Sequence, residues 1–106
     1  MIINLVPEAK EITEYEKEIN VELIVNERPY YIDQGQFRYY VSFQHSDIVV
    51  GKFLQGKHGN GHTIDEALKD YAEEISEEIL VLANDNGKEE KRISVPVLKH
   101  TKLLNK

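Results

Sequence analysis

The chain has no cysteine, which excludes a disulfide framework, a thiolate metal site and a cysteine nucleophile. No stretch approaches the roughly 18 consecutive apolar residues that a membrane-spanning helix needs. The start, MIINLVPEAKEI, lacks the basic region and long apolar run of a signal peptide, so none is expected. There are no internal repeats and no low-complexity linker. A cytoplasmic protein is the simplest expectation. A dominant basic stripe is missing too, and a net-acidic domain without one repels phosphate backbones, so direct nucleic-acid binding is not favoured.

What is present fits one domain. The 106 residues hold a single core but leave no room for a second. With 41% hydrophobic and 30% charged residues the composition is that of a folded chain, not a disordered one. The net charge of −6 is unevenly placed. Residues 63–80 carry Asp65, Glu66, Asp70, Glu73, Glu74, Glu77 and Glu78 against Lys69 alone, a balance that equals the whole chain's. Residues 1–27 are also acidic, and residues 88–106 are basic, with five Lys and Arg92 against two Glu.

Periodicity supplies the elements. Ile2 to Val6 reads as a short strand. PEAKEITEYEKEI then spaces Ala9, Ile12, Tyr15 and Ile19 at helical intervals, with Pro7 suited to a first helical turn. Asn20–Val25 is β-branched and apolar, a strand pattern. Phe37–Phe43 alternates, placing Phe37, Tyr39, Val41 and Phe43 on one face and Arg38, Tyr40 and Ser42 on the other. After a polar turn, Ile48–Leu54 reads as its hairpin partner, with Gly51 marking a bulge or a close contact.

Thr63 opens the best-defined helix. Its hydroxyl is placed to accept a backbone N–H three residues on while Glu66 reaches back, a capping box. Ile64, Leu68, Tyr71 and Ile75 form an apolar stripe flanked by Ala67 and Ala72. On the other side, Asp70–Glu74, Glu73–Glu77 and Glu74–Glu78 would be like charges four apart, each destabilising by a few tenths of a kcal/mol. That repulsion suggests a face kept for a partner, with simple solubility as the other reading. Residues 79–83 could continue the helix, but their β-rich character and the NDNG that follows favour a strand pairing with 91–97, Pro96 lying at a sheet edge. The tail from residue 99 reads as frayed.

Candidate chemistry is sparse. GKHGNGHT, residues 56–63, follows the phosphate-loop spacing except that His62 stands where lysine is required. Lys57, His58 and His62 near a helix N-terminus would suit an anion, while the plainer reading is a turn entering a helix. His58, His62 and Asp65 make a metal-ligand trio on paper, but a glycine-rich loop gives no rigid geometry. Ser42, Ser46, Ser76 and Ser94 lie in no nucleophile context, and exposed carboxylates lack the differing environments that acid–base chemistry needs. Tyr30, Tyr31, Tyr39 and Tyr40 cluster near one strand. An Arg38/Tyr40 sheet face is typical of protein interfaces, with base stacking as the second reading.

The pair FRYYVSF and IVVGKFL, the turn Gly61-His62-Thr63 and the element Glu66-Ala67-Leu68 together resemble the HicB antitoxin family over residues 36–98. The extension through ILVLANDNGKEEKRISVPVL resembles small proteins of phages and prophages of Gram-positive bacteria. The resemblance implies an α+β domain of three to five antiparallel strands packed on one main helix, here with an N-terminal extension over 1–27 that includes a possible helix. It also implies neutralisation of an RNA-cleaving toxin by binding it. The separate DNA-binding segment of many HicB proteins has no counterpart here.

The expectation is therefore a non-enzymatic interaction protein of phage type in a bacterial cytoplasm. A protein partner, such as a basic nuclease or a host defence factor, would be bound through Asp70, Glu73, Glu74 and Glu77 or through Arg38 and Tyr40. Thr63 and Glu66 serve the helix cap. No cofactor or metal is expected, and pairing with a second copy stays open. The alternatives are a small nucleic-acid-binding module on the Arg/Tyr face and a metal- or phosphate-dependent enzyme.

Overall fold

Apolar alternation and two capped helical segments build an α+β domain, seen in a computed structural model that describes residues 8–28, 37–83 and 90–101. In chain order the elements are β1 (Lys10–Glu11), α1 (Ile12–Ile19), β2 (Leu23–Glu27), β3 (Tyr39–Phe43), β4 (Ser46–Val50) and β5 (Phe53–Gln55). They continue with β6 (Gly59–Gly61), α2 (Ile64–Ile75), β7 (Ile79–Ala83), β8 (Glu90–Ser94) and β9 (Leu98–Lys99). A three-stranded sheet has the order β2-β3-β6 and a four-stranded sheet the order β5-β4-β7-β8, all antiparallel. A short parallel pair, β1-β9, joins the two ends of the described chain.

The main helix behaves as its stripe dictates. Leu68, Tyr71 and Ile75 are buried together with Ala67 and Ala72, and Ile64 packs at the margin of the core. They meet Val41, Phe43, Ile48 and Leu80 from the two sheets. Full burial of each large side chain is worth about 1.5–3 kcal/mol. Tyr71 also accepts the backbone N–H of Phe43 at 3.0 Å, and its ring meets the Phe43 ring edge-on. Residues 79–83 do pair with the returning chain, as β7-β8, in register from Ile79–Ser94 to Ala83–Glu90. The partner is Glu90–Ser94 and not 91–97, and Pro96 falls between β8 and β9 instead of on a sheet edge.

The expected hairpin between 37–43 and 48–54 is absent. β3 is hydrogen-bonded to β2 on one side and to β6 on the other, which leaves no edge for β4. Gln44 and His45, the latter with φ 52°, redirect the chain into the second sheet. Ile48–Leu54 is itself a hairpin, β4-β5, turning at Gly51 and Lys52. Gly51 has φ 61°, as the first position of such a two-residue turn favours. It marks a turn and not a bulge.

The middle of the glycine-rich segment, Gly59–Gly61, is a strand, β6, and only residues 56–58 before it and 62–63 after it are irregular. A β-carbon on Gly59 would lie 2.2 Å from the Ala67 carbonyl oxygen, and one on Gly61 would lie 2.4 Å from the Ala67 nitrogen. These glycines serve the close approach of α2 to the sheet, a steric reason for their presence that requires no phosphate.

The ends also differ from expectation. α1 begins at Ile12, later than the proline-led start, and Pro7 with the strand read over 2–6 lies outside the described residues. Asn20 is the left-handed cap of α1, so the following strand starts at Leu23 instead of Asn20. Residues 99–101 are docked, not frayed. Lys99 pairs with Glu11, and Thr101 donates its backbone N–H (3.1 Å) and its hydroxyl to the Glu11 carboxylate.

Candidate functional site

Thr63 and Glu66 cap α2 with one departure from the expected pattern. Glu66 donates its N–H to the Thr63 hydroxyl at 3.1 Å, and its carboxylate accepts the N–H of His62, one residue before the cap, at 2.9 Å. The helix stops at Ile75. The Ser76 hydroxyl donates to the Ala72 carbonyl (2.6 Å) and accepts the Leu98 N–H (2.8 Å), and Glu77 has φ 64°. Glu77 and Glu78 therefore follow the helix, and the expected four-apart repulsions of Glu73 with Glu77 and of Glu74 with Glu78 do not exist as helical pairs. Asp70–Glu74 is the pair that remains.

The acidic residues divide into two groups. Asp65 is 2.8 Å from Nε2 of His100, whose side chain is almost fully buried. Asp70 accepts the backbone N–H of Asn60 at 2.8 Å, and Glu74 lies 3.6 Å from the ammonium of Lys57. Together with Glu66 these carboxylates tie α2 to β6, to the strand's approach and to the C-terminal segment. Glu73 and Glu77 are exposed, Glu78 is half-buried, and none of the three has an ion pair among the described residues. The presented surface is thus the C-terminal end of α2 and the turn after it. Asp70 and Glu74 act in folding as well.

Tyr40 lies in β3 and Arg38 immediately before that strand, and both are half-buried. Arg38 donates from Nε to Glu27 at 2.7 Å, and its guanidinium lies 5.2 Å from the centre of the Tyr39 ring. Tyr40 meets Arg28, whose guanidinium sits 4.5 Å over the ring, and His58, whose ring is 5.4 Å away edge-on. Arg28, in turn, donates to the Asn60 side chain at 3.3 Å. Sequence reasoning missed Arg28 and Asn60 because only the register Tyr40–Asn60 brings them together. Tyr30 and Tyr31 lie outside the described residues.

The paper trio of His58, His62 and Asp65 is not assembled. His58 packs on Tyr40, His62 lies 4.8 Å from the Phe37 ring, and Asp65 is turned to His100. Among the described residues no group of three or more His, Asp or Glu side chains has a geometry that would hold a metal ion. Phe37 itself precedes β3 and is 39% exposed, against its expected place on the core face.

A cleft of about 580 Å³ opens between the end of α1 and the β3-β4 corner, lined by Glu16, Asn20, Glu22, Gln44, His45 and Ala83 among others. Two of its residues, Asn20 and His45, are in the left-handed region. Glu16 accepts the Leu23 N–H there at 2.8 Å, a bond that fastens helix to strand. No local sequence signal marks this cleft, since its walls come from three distant segments. Among the described residues no helix is long and apolar enough to cross a membrane. Compared with known proteins, the chain matches no family model, no curated protein and no solved structure.

Proposed function

We propose that this protein is a non-enzymatic binding module that docks a basic protein partner against Glu73, Glu77 and Glu78 and so modulates it. One observation carries the reading. The last turn of α2 contains no basic residue, and carboxylates occupy and follow the end where the helix dipole is already negative. A helix terminus of that kind favours cations, by about 0.3–1 kcal/mol each. The chain keeps charges there that its own fold does not use, and a cationic partner surface reverses their effect. Opposite charge also speeds encounter.

A basic nuclease or another nucleic-acid-handling factor is the natural target, in the manner of an antitoxin or inhibitor acting in a bacterial cell. Arg38 and Tyr40 offer a second contact face, and Asp70 and Glu74 border the first. The test is to mix the chain with candidate nucleases at rising salt and follow complex formation and RNA cleavage. A salt-sensitive complex that Glu73→Lys with Glu77→Lys abolishes is the expected result, and binding unchanged by that double reversal removes this surface from the proposal.

The cluster of Arg28, Tyr40 and His58 favours one second reading, a nucleic-acid-binding module on the sheet face. In it Arg28 already covers one side of the tyrosine ring. Retention of a single-stranded oligonucleotide at low salt, lost in Tyr40→Ala, would support that alternative.

A further inference from the structure

β5 ends the four-stranded sheet, with β4 as its neighbour on one side and no strand among the described residues on the other. In the two-residue hairpin, Val50 and Phe53 flank the turn as the hydrogen-bonded pair. Alternation then makes Val49–Leu54 the pair without ladder bonds, so the N–H and C=O of Leu54 point away from β4. All three residues of β5 are exposed, Phe53 at 77% and Leu54 at 44%, and Val50 beside them at 40%. The opposite edge is different. β8 carries Glu90, Lys91 and Arg92, charges of the kind that deter unwanted strand pairing. Within β5 itself, Phe53, Leu54 and Gln55 carry no charge.

Its flanks indicate what would pair there. Lys52 immediately precedes the strand, is exposed and has no ion pair among the described residues. Lys57, two residues after the strand, is half-buried with its ammonium 3.6 Å from Glu74, so Lys52 is the stronger of the two flanking charges. An antiparallel ladder between two copies, centred on Leu54, would bring Lys52 of each beside Gly56 and Lys57 of the other. Like charges would then meet at both ends. A strand with acidic flanks would meet an opposite charge at each end instead.

We propose that β5 accepts an extended segment of a partner protein as an added antiparallel strand, with apolar residues at its centre and Asp or Glu on either side. The added strand would flank Phe53 on one face of the sheet and Leu54 on the other, while its main chain pairs with Leu54. This rests on the protein-binding reading above but uses a surface apart from Glu73 and Glu77, so the two can fail separately.

The test uses the full chain and two capped peptides, Asp-Glu-Val-Ile-Val-Glu-Asp and Lys-Lys-Val-Ile-Val-Lys-Lys, followed by amide chemical shifts and hydrogen exchange. The acidic peptide is expected to shift and protect the Leu54 amide and to bind about tenfold more tightly than the lysine peptide at low salt, as a few exposed charge pairs would give. Leu54→Pro, at an outward N–H where proline is tolerated in an edge strand, should abolish binding with the thermal unfolding transition retained. Lys52→Glu should weaken the acidic peptide and strengthen the basic one. Equal binding of both peptides, shifts that avoid β5, or indifference to both variants overturns the proposal. So does a chain that sediments as a dimer with Leu54 already protected, which would give the edge to a second copy.

Discussion

The Asp70 carboxylate accepts the backbone N–H of Asn60 at 2.8 Å, joining the middle of α2 to the middle of β6. An acidic residue that looks, in the sequence, like one more charge on a solvent face is a structural fastener. Asp70→Ala should therefore destabilise the fold by about 1–3 kcal/mol, because it leaves a half-buried donor without its partner. Glu73→Gln, on an exposed side chain at the negative end of the helix, should change stability by no more than about 0.5 kcal/mol and in the favourable direction. Urea unfolding of the two variants separates folding carboxylates from presented ones. Equal effects would mean that Asp70 and Glu73 do not differ in what they do for the fold.

Gly59 makes a second prediction. Its missing side chain is required by space and not by backbone freedom, since a β-carbon would lie 2.2 Å from the Ala67 carbonyl and 2.3 Å from the Tyr71 β-carbon. Backbone cannot yield as a side-chain tip can. Gly59→Ala should cost about 3 kcal/mol or more, the upper end of overpacking penalties. Gly56→Ala, with Asp47 Oδ1 at 3.7 Å from the added carbon, should be close to neutral. Thermal unfolding of the pair checks the contrast.

Two buried tyrosines should respond oppositely to loss of the hydroxyl. Tyr71 accepts the Phe43 N–H, whereas the Tyr15 hydroxyl is buried with no hydrogen-bond partner among the described residues. Burial pushes both phenols up from their ordinary pKa, at Tyr71 against hydrogen bonds that work the other way. Tyr71→Phe should destabilise by about 1–3 kcal/mol, and Tyr15→Phe should be neutral or stabilising by up to about 1 kcal/mol. Stability against denaturant decides it. A large loss on Tyr15→Phe would show that its hydroxyl has a partner.

The pattern of success in reading the sequence follows from what is local. The cap at Thr63, the stripe from Ile64 to Ile75 and the strand at residues 79–83 are set by neighbours within a turn or two, and all three are present. Pairing is not local. Alternation in FRYYVSF identifies a strand but carries nothing about which edge it uses, so β3 was open to assignment to β4 when β2 and β6 hold it. The same applies to the candidate site. Glu73 looks no different from Asp70 in sequence, because the difference lies in a β6 amide brought in by tertiary packing. The bond between Asp65 and His100 spans 35 residues, and it was invisible for that reason.

The clasp between Glu11 and Thr101 should be detectable as a pH effect. The Thr101 hydroxyl bond is the main cause that holds the Glu11 carboxyl below its ordinary pKa, with burial opposing and the Thr101 N–H, Lys99 and His100 assisting. A folded-state pKa below the unfolded one means that the ionised form is the one the fold prefers. The stabilisation is then complete above the unfolded value, about 4.3 for a glutamate, and is lost as pH falls through the lowered folded value. Glu11→Gln keeps a carbonyl acceptor but removes the charge and the titration. The stability gap between the natural chain and Glu11→Gln should be constant from neutral pH to about pH 5 and close progressively below about pH 4. Denaturant unfolding across that range, with hydrogen exchange at the Thr101 amide, checks both the sign and the place. A gap that widens on acidification, or an exchange rate at Thr101 insensitive to the substitution, would show that Glu11 does not hold the C-terminal segment against β1.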